Sequence, residues 1–360
     1  MKSKVPVSVE TMARRTQDSE AVGPLTICSV SFASAPYLYL NRQLTARLNG
    51  TGNWKWIVVE NTPPGSEGAV GRGDGFVVLD GVARIPAGGA SGSYQHGEGL
   101  NKASPHIKTR FALFLDPDFY IVRRGWICEI LNHMLTHQLV FFGAPWNPKW
   151  FMKYRYFPCV HCLFIDLSQV DAESLDFAPD RPELIKPSGV PPFLKQKIPP
   201  PFLNMLLTIK GVLWHLKVGS LQVGTTKDTG YDIYRRFGLK KPTPSECVVP
   251  VFRPESDFLG PRLAHSKIGR FVDRILPDRM SFIPKLSGSY TREGFREHGY
   301  PDVTSLGWEE FIWKGKPFGF HLRRQGRGSK DSAVEKRTLE QVIENFGKKE
   351  GKEDIPCDNL

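Results

Sequence analysis

Phe111-Ala-Leu-Phe-Leu-Asp-Pro-Asp118 is the stretch on which the fold turns. Five consecutive apolar residues suit a strand covered on both faces, the kind found inside a mainly parallel sheet. In an open α/β sheet ligands bind outside the carboxyl ends of such strands, and Asp116 and Asp118 stand at that end. Two residues apart on an extended segment, their carboxylates point the same way and can hold one hard divalent ion directly or through water. An Asp-x-Asp triplet is also a common turn or helix cap, so the tripeptide alone leaves both readings open.

Upstream, Leu25–Phe32 reads as a buried strand, and Tyr37, Leu40, Leu44 and Leu48 recur at helical spacing behind Pro36, with Asn49-Gly50 as a stop. Trp54–Asn61 is a second strand ending in a Pro-Pro-Gly turn, and Phe76–Gly81 a third. The glycine-rich stretch Ala87–Ser93 lacks the ending of a P-loop and the order of a dinucleotide site, and reads as a flexible loop before a helix near Tyr94–His106. Downstream lie a helix over about Gly125–His137 and strands at Leu139–Gly143 and Cys162–Ile165. An aromatic loop separates the two strands, with Trp146, Trp150, Phe151, Tyr154, Tyr156 and Phe157. Strands separated by helical segments predict an α/β fold, a mainly parallel central sheet with helices on both faces.

Residues 1–23 are polar and aperiodic and read as a flexible arm, and 24–325 as a single domain. Eight prolines between Pro179 and Pro201 mark a surface loop that divides this domain into 24–178 and 202–325. Phe202–Val218 reads as a helix whose wide apolar arc fits burial against the sheet or a membrane interface. Residues 326–360 form a charged tail; eight Lys or Arg against four acids over 320–349 read there as a solvated segment.

A chain of 360 residues with 40% apolar and 24% charged side chains is neither collagen, disulfide scaffold nor disordered. No apolar run reaches the ~20 residues of a membrane-spanning helix, and the N-terminus has no apolar targeting core. A cytoplasmic protein is the expectation, with peripheral membrane contact left open. Six scattered cysteines agree with a reducing compartment. The net charge of +11 argues for an anionic partner without choosing among nucleic acid, phospholipid and phosphorylated small molecules.

Further motifs carry chemistry or only packing. Asp228-Thr-Gly-Tyr-Asp232 opens a segment of helical spacing that stops at Gly238, and Asp228 stands where an N-cap would. A carboxylate there can also take a proton from an acceptor hydroxyl. His321 ends an aromatic-rich, ordered-looking segment and is either structural or a donor to phosphate or metal, with Arg323 and Arg324 beside it. Cys159-Val-His-Cys162 lacks the second pair that a structural zinc site needs and reads as packed thiols. His133 and His137 share a helix face without a carboxylate nearby in sequence and read as surface residues.

The order of these parts resembles a glycosyltransferase of the GT-A fold, a nucleotide-diphospho-sugar transferase most similar to family 2-like enzymes. The resemblance spans about residues 24–325. It is carried by Ile27–Leu48, Glu60-Asn61, His96-Gly-Glu-Gly-Leu-Asn101, Phe-Leu-Asp116-Pro-Asp118, Cys162-Leu-Phe-Ile, Asp228-Thr-Gly and the late His321. It implies Glu60 and Asn61 at the nucleoside, and Asp116 and Asp118 on Mn²⁺ or Mg²⁺ and the donor's diphosphate. It further implies Asp228 as base with Asp232 in reserve, inversion at the transferred carbon, and His321 on metal or phosphate. Residues 24–178 become the half that binds the nucleotide-sugar donor, and 202–325 the side of an unidentified glycan, lipid or small-molecule acceptor. Lys227-Asp228 stands where such enzymes usually carry Glu-Asp, which keeps a non-catalytic binding or scaffolding protein on the same fold as an alternative. Nucleic-acid binding is the third reading, and is not expected, because the basic residues are not interleaved with aromatics in a recognition motif.

Overall fold

The computed structural model of the chain describes residues 25–52, 54–82, 91–150, 153–179, 228–240, 242–254, 271, 274, 278, 281, 283–322 and 332–349. The first half runs β1 (Leu25–Ser31), α1 (Ala35–Asn49), β2 (Trp54–Glu60), β3 (Val77–Asp80), α2 (Ser91–Ala103), β4 (Phe111–Leu115), β5 (Phe119–Ile121), α3 (Trp126–Thr136), β6 (Phe141–Gly143) and β7 (Cys162–Asp166). The second half adds α4 (Tyr231–Ile233), β8 (Ser245–Cys247), β9 (Val249–Pro250), β10 (Glu309–Trp313), β11 (Lys316–His321) and α5 (Ser332–Lys349).

Seven strands form one sheet in the order β3-β2-β1-β4-β7-β6-β8, parallel at every step except the two on either side of β7. The period of two along each strand divides the core. Ile27, Trp56, Val58, Leu113 and Phe164 meet Leu38 and Leu44 of α1 and Trp126 and Ile130 of α3 on one face. Cys28, Ile57, Val59, Ala112, Phe114 and Ile165 meet Leu100 and Ala103 of α2 and Ile233 of α4 on the other. This is the mainly parallel α/β architecture that the sequence predicts. Each large apolar side chain so buried contributes roughly 1.5–3 kcal/mol relative to exposure.

Pro36 starts α1, and Gly50 at φ 74° ends it, as the sequence predicts. Its buried stripe, Leu38, Asn41, Leu44, Thr45 and Leu48, contains one amide, Asn41, whose burial demands hydrogen-bond partners. At the other end of α1, the Asn49 Oδ1 accepts the Ile127 amide at 3.0 Å, so the side chain caps the start of α3.

A second, antiparallel sheet has the order β5-β11-β10-β9. Its hairpin turns at Lys314-Gly315, both at positive φ (49° and 68°), as a two-residue turn matched to strand twist requires. A bulge between Phe311 and Ile312 shifts the ladder by one residue, so that Glu309 lies opposite His321.

Several expectations from sequence differ from the structure. The segment after Asp228 is a single α-turn, α4, which widens into a π-helix over Tyr234–Lys240, so Gly238 lies inside the helix and does not stop it. Part of the expected solvated tail is α5, whose Leu339, Val342, Ile343 and Phe346 are buried at helical spacing, with Phe346 stacked on Tyr300 at 4.8 Å. His133 is buried rather than on the surface: the fold brings Glu246 of β8 to 2.8 Å from its Nε2, a partner 113 residues away in sequence. The glycine-rich stretch ends in order, since Ser91–Ser93 form the first turn of α2. The proline cluster from residue 180 onward and the helix expected over Phe202–Val218 lie outside the described residues. Among the described residues no helix is long and apolar enough to cross a membrane.

Candidate active site at the junction of the two sheets

β4 belongs to the large sheet and β5 to the small one, and only Asp116-Pro117-Asp118 separates them. Their backbone is held from several directions. The Asp116 amide donates to the His161 carbonyl at 3.1 Å, the Phe119 amide to the Asp116 carbonyl at 3.0 Å, and the Leu322 amide to the Asp118 carbonyl at 2.9 Å. The buried Asn41 amide of α1 donates to the Phe119 carbonyl at 2.7 Å. Pairing of β5 with β11 sets His321 opposite Phe119 and so beside Asp118. His321 Nε2 is 3.4 Å from Asp118 Oδ1 and 3.9 Å from Asp116 Oδ2. One ligand atom from each of Asp116, Asp118 and His321 lies within 4.8 Å of the others. Among the described residues no other group of three metal-binding side chains is so arranged.

Behind the imidazole stands Glu309, completely buried, with Oε2 at 3.4 Å from His321 Nδ1. Its other oxygen accepts from the Trp150 indole and lies 3.4 Å from Lys149 Nζ. His161 packs 4.8 Å from the His321 ring and stacks on Phe119 at 5.5 Å.

In front of the carboxylates a cleft of about 260 Å³ is lined by Phe32, Ser34, Asn61, Gly92, Gln95 and His96 as well as residues 116–118. His96 Nε2 is 3.3 Å from Asp116 Oδ1. Of the two residues expected at a nucleoside, Asn61 lines this cleft, whereas Glu60 turns its oxygens to the amides of Thr62 and Val70 at 2.7 and 2.6 Å and shapes the loop beside it.

Asp228 is not the cap of α4; that position is Gly230, and the Asp228 carboxylate bonds Lys153 and the Thr229 amide. Burial pushes its pKa up, but the Lys153 ammonium and hydrogen bonds from Lys153, Ser93 and Thr229 outweigh it and leave the group below its ordinary value. Thr229 Oγ1 donates to the Ser93 carbonyl at 2.9 Å, which docks this segment on the first turn of α2, beside Gly92 of the cleft. Asp232 is elsewhere: it bonds Arg235 at 2.8 Å and lines a separate cavity of about 880 Å³ with Tyr94, Asn101 and Asp176.

No family model matches the chain, and no curated protein does. Among solved structures it is similar to a mannosyltransferase from Pyrobaculum calidifontis in complex with GDP-Man and Mn²⁺, at 12% identity and a TM-score of 0.31, over 45% of this chain and 52% of that one. It is similar to S. aureus TarS 1–349 in complex with UDP-GlcNAc, at 13% identity and a TM-score of 0.29, over 42% and 48%. A third is the galactosyltransferase LgtC with donor and acceptor sugar analogues, at 14% identity and a TM-score of 0.30, over 42% and 62%. The chain thus matches about half the length of the first two and under two thirds of the third.

Several site residues escape a reading of the sequence. Asn41 leaves a signal, a polar residue inside an apolar helical stripe. Glu309 and Lys153 leave none, because their roles depend on partners 12 and 75 residues away. The aromatic loop is mostly engaged within the protein: Tyr154 stacks on Tyr234 at 4.4 Å, Phe157 is buried, and Trp146 packs edge-on to His161 with Lys153 over its face. Cys159 and Cys162 are buried free thiols, in line with the packing role expected of them.

Proposed function

We propose that this chain is a metal-dependent glycosyltransferase of the GT-A type, moving a sugar from a nucleoside-diphosphate donor to an acceptor hydroxyl. The observation that carries the reading is the convergence of Asp116, Asp118 and His321 at the carboxyl end of β4, where the two aspartates line a cleft. Two carboxylates and one imidazole fit Mn²⁺, which accepts both oxygen and nitrogen donors, and also Mg²⁺, which favours oxygen. When bound, such an ion neutralises the charge that builds on a departing diphosphate.

The chain's own residues divide the remaining work. Asn61 and Ser34 offer polar contacts to a nucleoside at one end of the cleft, with Glu60 holding the adjoining loop. The N-terminal turn of α2, which reaches the cleft at Gly92, adds the positive end of a helix dipole on the diphosphate side. Asp228 is the base; Asp232, paired with Arg235 on a separate cavity, does not share this role. Lys153 keeps Asp228 ionised at neutral pH, the state a base needs, and attack from its side with the diphosphate leaving opposite inverts the sugar carbon. Residues 24–178 form the donor half of a domain that extends to about 325, and the acceptor is a glycan, lipid or small molecule.

The test is a thermal-shift panel of UDP, GDP, CMP and dTDP with and without Mn²⁺, since a ligand of the folded state stabilises it by RT ln(1 + [L]/Kd). Selective stabilisation by one nucleotide that requires Mn²⁺ is the expected result and names the donor class. No response to any nucleotide in either condition rejects the proposal.

A further inference from the structure

We infer that Glu309 is a positioning residue that holds His321 as a metal ligand and ties it to the loop carrying Lys149 and Trp150; this rests on the metal site proposed above. Burying a carboxylate with no exposure is costly unless cationic or donor groups face it. Partners of Glu309 come from side chains of the site region: the Trp150 indole donates to Oε1, Lys149 Nζ lies 3.4 Å from the same oxygen, and His321 Nδ1 lies 3.4 Å from Oε2.

The neighbouring Glu310 shows what a structural glutamate looks like on the same strand. Pointing to the other face of β10, it accepts from the backbone amides of Phe295 at 2.8 Å, Val303 at 2.9 Å and Thr304 at 3.3 Å, and so folds the 294–304 segment. No side chain of the cleft touches its oxygens in these bonds. Adjacent in sequence, the two glutamates serve different ends.

Glu309 faces His321 across the β10–β11 ladder with Oε2 3.4 Å behind Nδ1, while Nε2 faces Asp116 and Asp118. A carboxylate at Nδ1 selects the tautomer with the proton on Nδ1 and the lone pair on Nε2, the atom turned toward the two aspartates. Without it, Nε2–H can donate to Asp118 and the lone pair is lost to a metal. Glu309 also reaches the β6–β7 connection, the same stretch that sends Lys153 to Asp228 and Trp146 against His161. The metal ligand and the two sides of the site therefore share one buried carboxylate.

The experiment titrates the full chain with MnCl₂ alone and follows free Mn²⁺ by electron paramagnetic resonance, for the natural protein, Glu309→Gln, His321→Ala and the double variant. Loss of a partner behind a metal-binding histidine typically weakens affinity by about 10–100-fold, and Glu309→Gln is expected to do so. In the His321→Ala background the same change is expected to have less than about a twofold effect, because the two residues act through one contact. An unchanged affinity in Glu309→Gln, or an equal loss in both backgrounds, overturns the inference while leaving the metal site intact. A natural protein that binds no Mn²⁺ rejects the metal site itself. If Glu309→Gln does not fold, ¹⁵N-histidine spectra of the natural protein, with His321 assigned by its loss in His321→Ala, serve instead. An Nδ1-protonated ring whose Nε2 signal is perturbed by Mn²⁺ supports the inference, and an Nε2-protonated ring overturns it.

Discussion

The two ends of the seven-stranded sheet carry aspartates in opposite circumstances. β7 runs antiparallel to β4, so Asp166 at the end of β7 lies opposite Phe111, at the edge far from Asp116. Asp166 accepts from Arg110 Nε at 3.0 Å and Nη2 at 2.8 Å, from the Ser168 amide at 3.0 Å and hydroxyl at 2.7 Å, and from Gln169 at 3.0 Å. Burial raises its pKa, but these donors more than compensate and hold it below the ordinary carboxylate value. At the other end, Asp116 and Asp118 face imidazoles and a cleft. A saturated carboxylate closes a sheet edge, whereas one left facing histidines and open space can take a ligand.

The largest expected effect belongs to the cleft end. Asp118→Asn should abolish Mn²⁺-dependent nucleotide stabilisation, while the free protein still unfolds in one cooperative transition, because the amide keeps the size of the half-buried side chain beside His321. A variant that keeps the metal response removes the contrast between the ends. Next, Asp228→Asn should leave that response in place and slow release of nucleoside diphosphate from the sugar nucleotide by about 10²–10⁴-fold, the range of a general base. Full turnover in this variant would move the base to another group.

The smallest effect is expected at the far end. Asp166→Asn should cost about 1.5 kcal/mol in urea unfolding at neutral pH, the scale of hydrogen bonds to a charged group, with Mn²⁺ affinity unchanged. Because the folded-state pKa of Asp166 is depressed, its stabilisation is present in full above the unfolded value near 4 and is lost as pH falls through the folded value. The natural protein should therefore lose stability more steeply over that acidic window than Asp166→Asn. Equal slopes would show that the Arg110 cluster does not act on stability.

This contrast is partly written in the sequence. Asp166 is followed at positions 168 and 169 by Ser and Gln, local donors that fold back onto it, whereas Asp116 is followed by a proline without an N–H and by another acid. The apolar run before Asp116 and the helical spacing behind Pro36 likewise gave β4 and α1 directly. The small sheet was less legible. Glu309-Glu310-Phe-Ile-Trp313 looks half solvated as a sequence, yet all five residues are buried, because their partners come from residues 294–304, the Lys149–Trp150 loop and β11. The hairpin turn itself is readable at Lys314-Gly315, but the bulge is not. Without its one-residue shift, the pairing that starts at Trp313–Lys316 would set Glu309 opposite Phe320 instead of His321. α5 was hidden by composition, since its four buried residues are scattered among charged ones.

Asp116-Pro117-Asp118 is both the turn that carries the candidate metal-binding carboxylates and the whole of the connection between β4 and β5. That double duty restricts how this chain can change over generations. Lengths can drift freely in exposed connections, because added residues there disturb no pairing. One residue gained or lost between the two aspartates would slip β5 against β11, turn Phe119 out of the row it shares with His321, and separate the acids in the same event. Substitution can therefore tune this corner gradually, but insertion and deletion are closed to it.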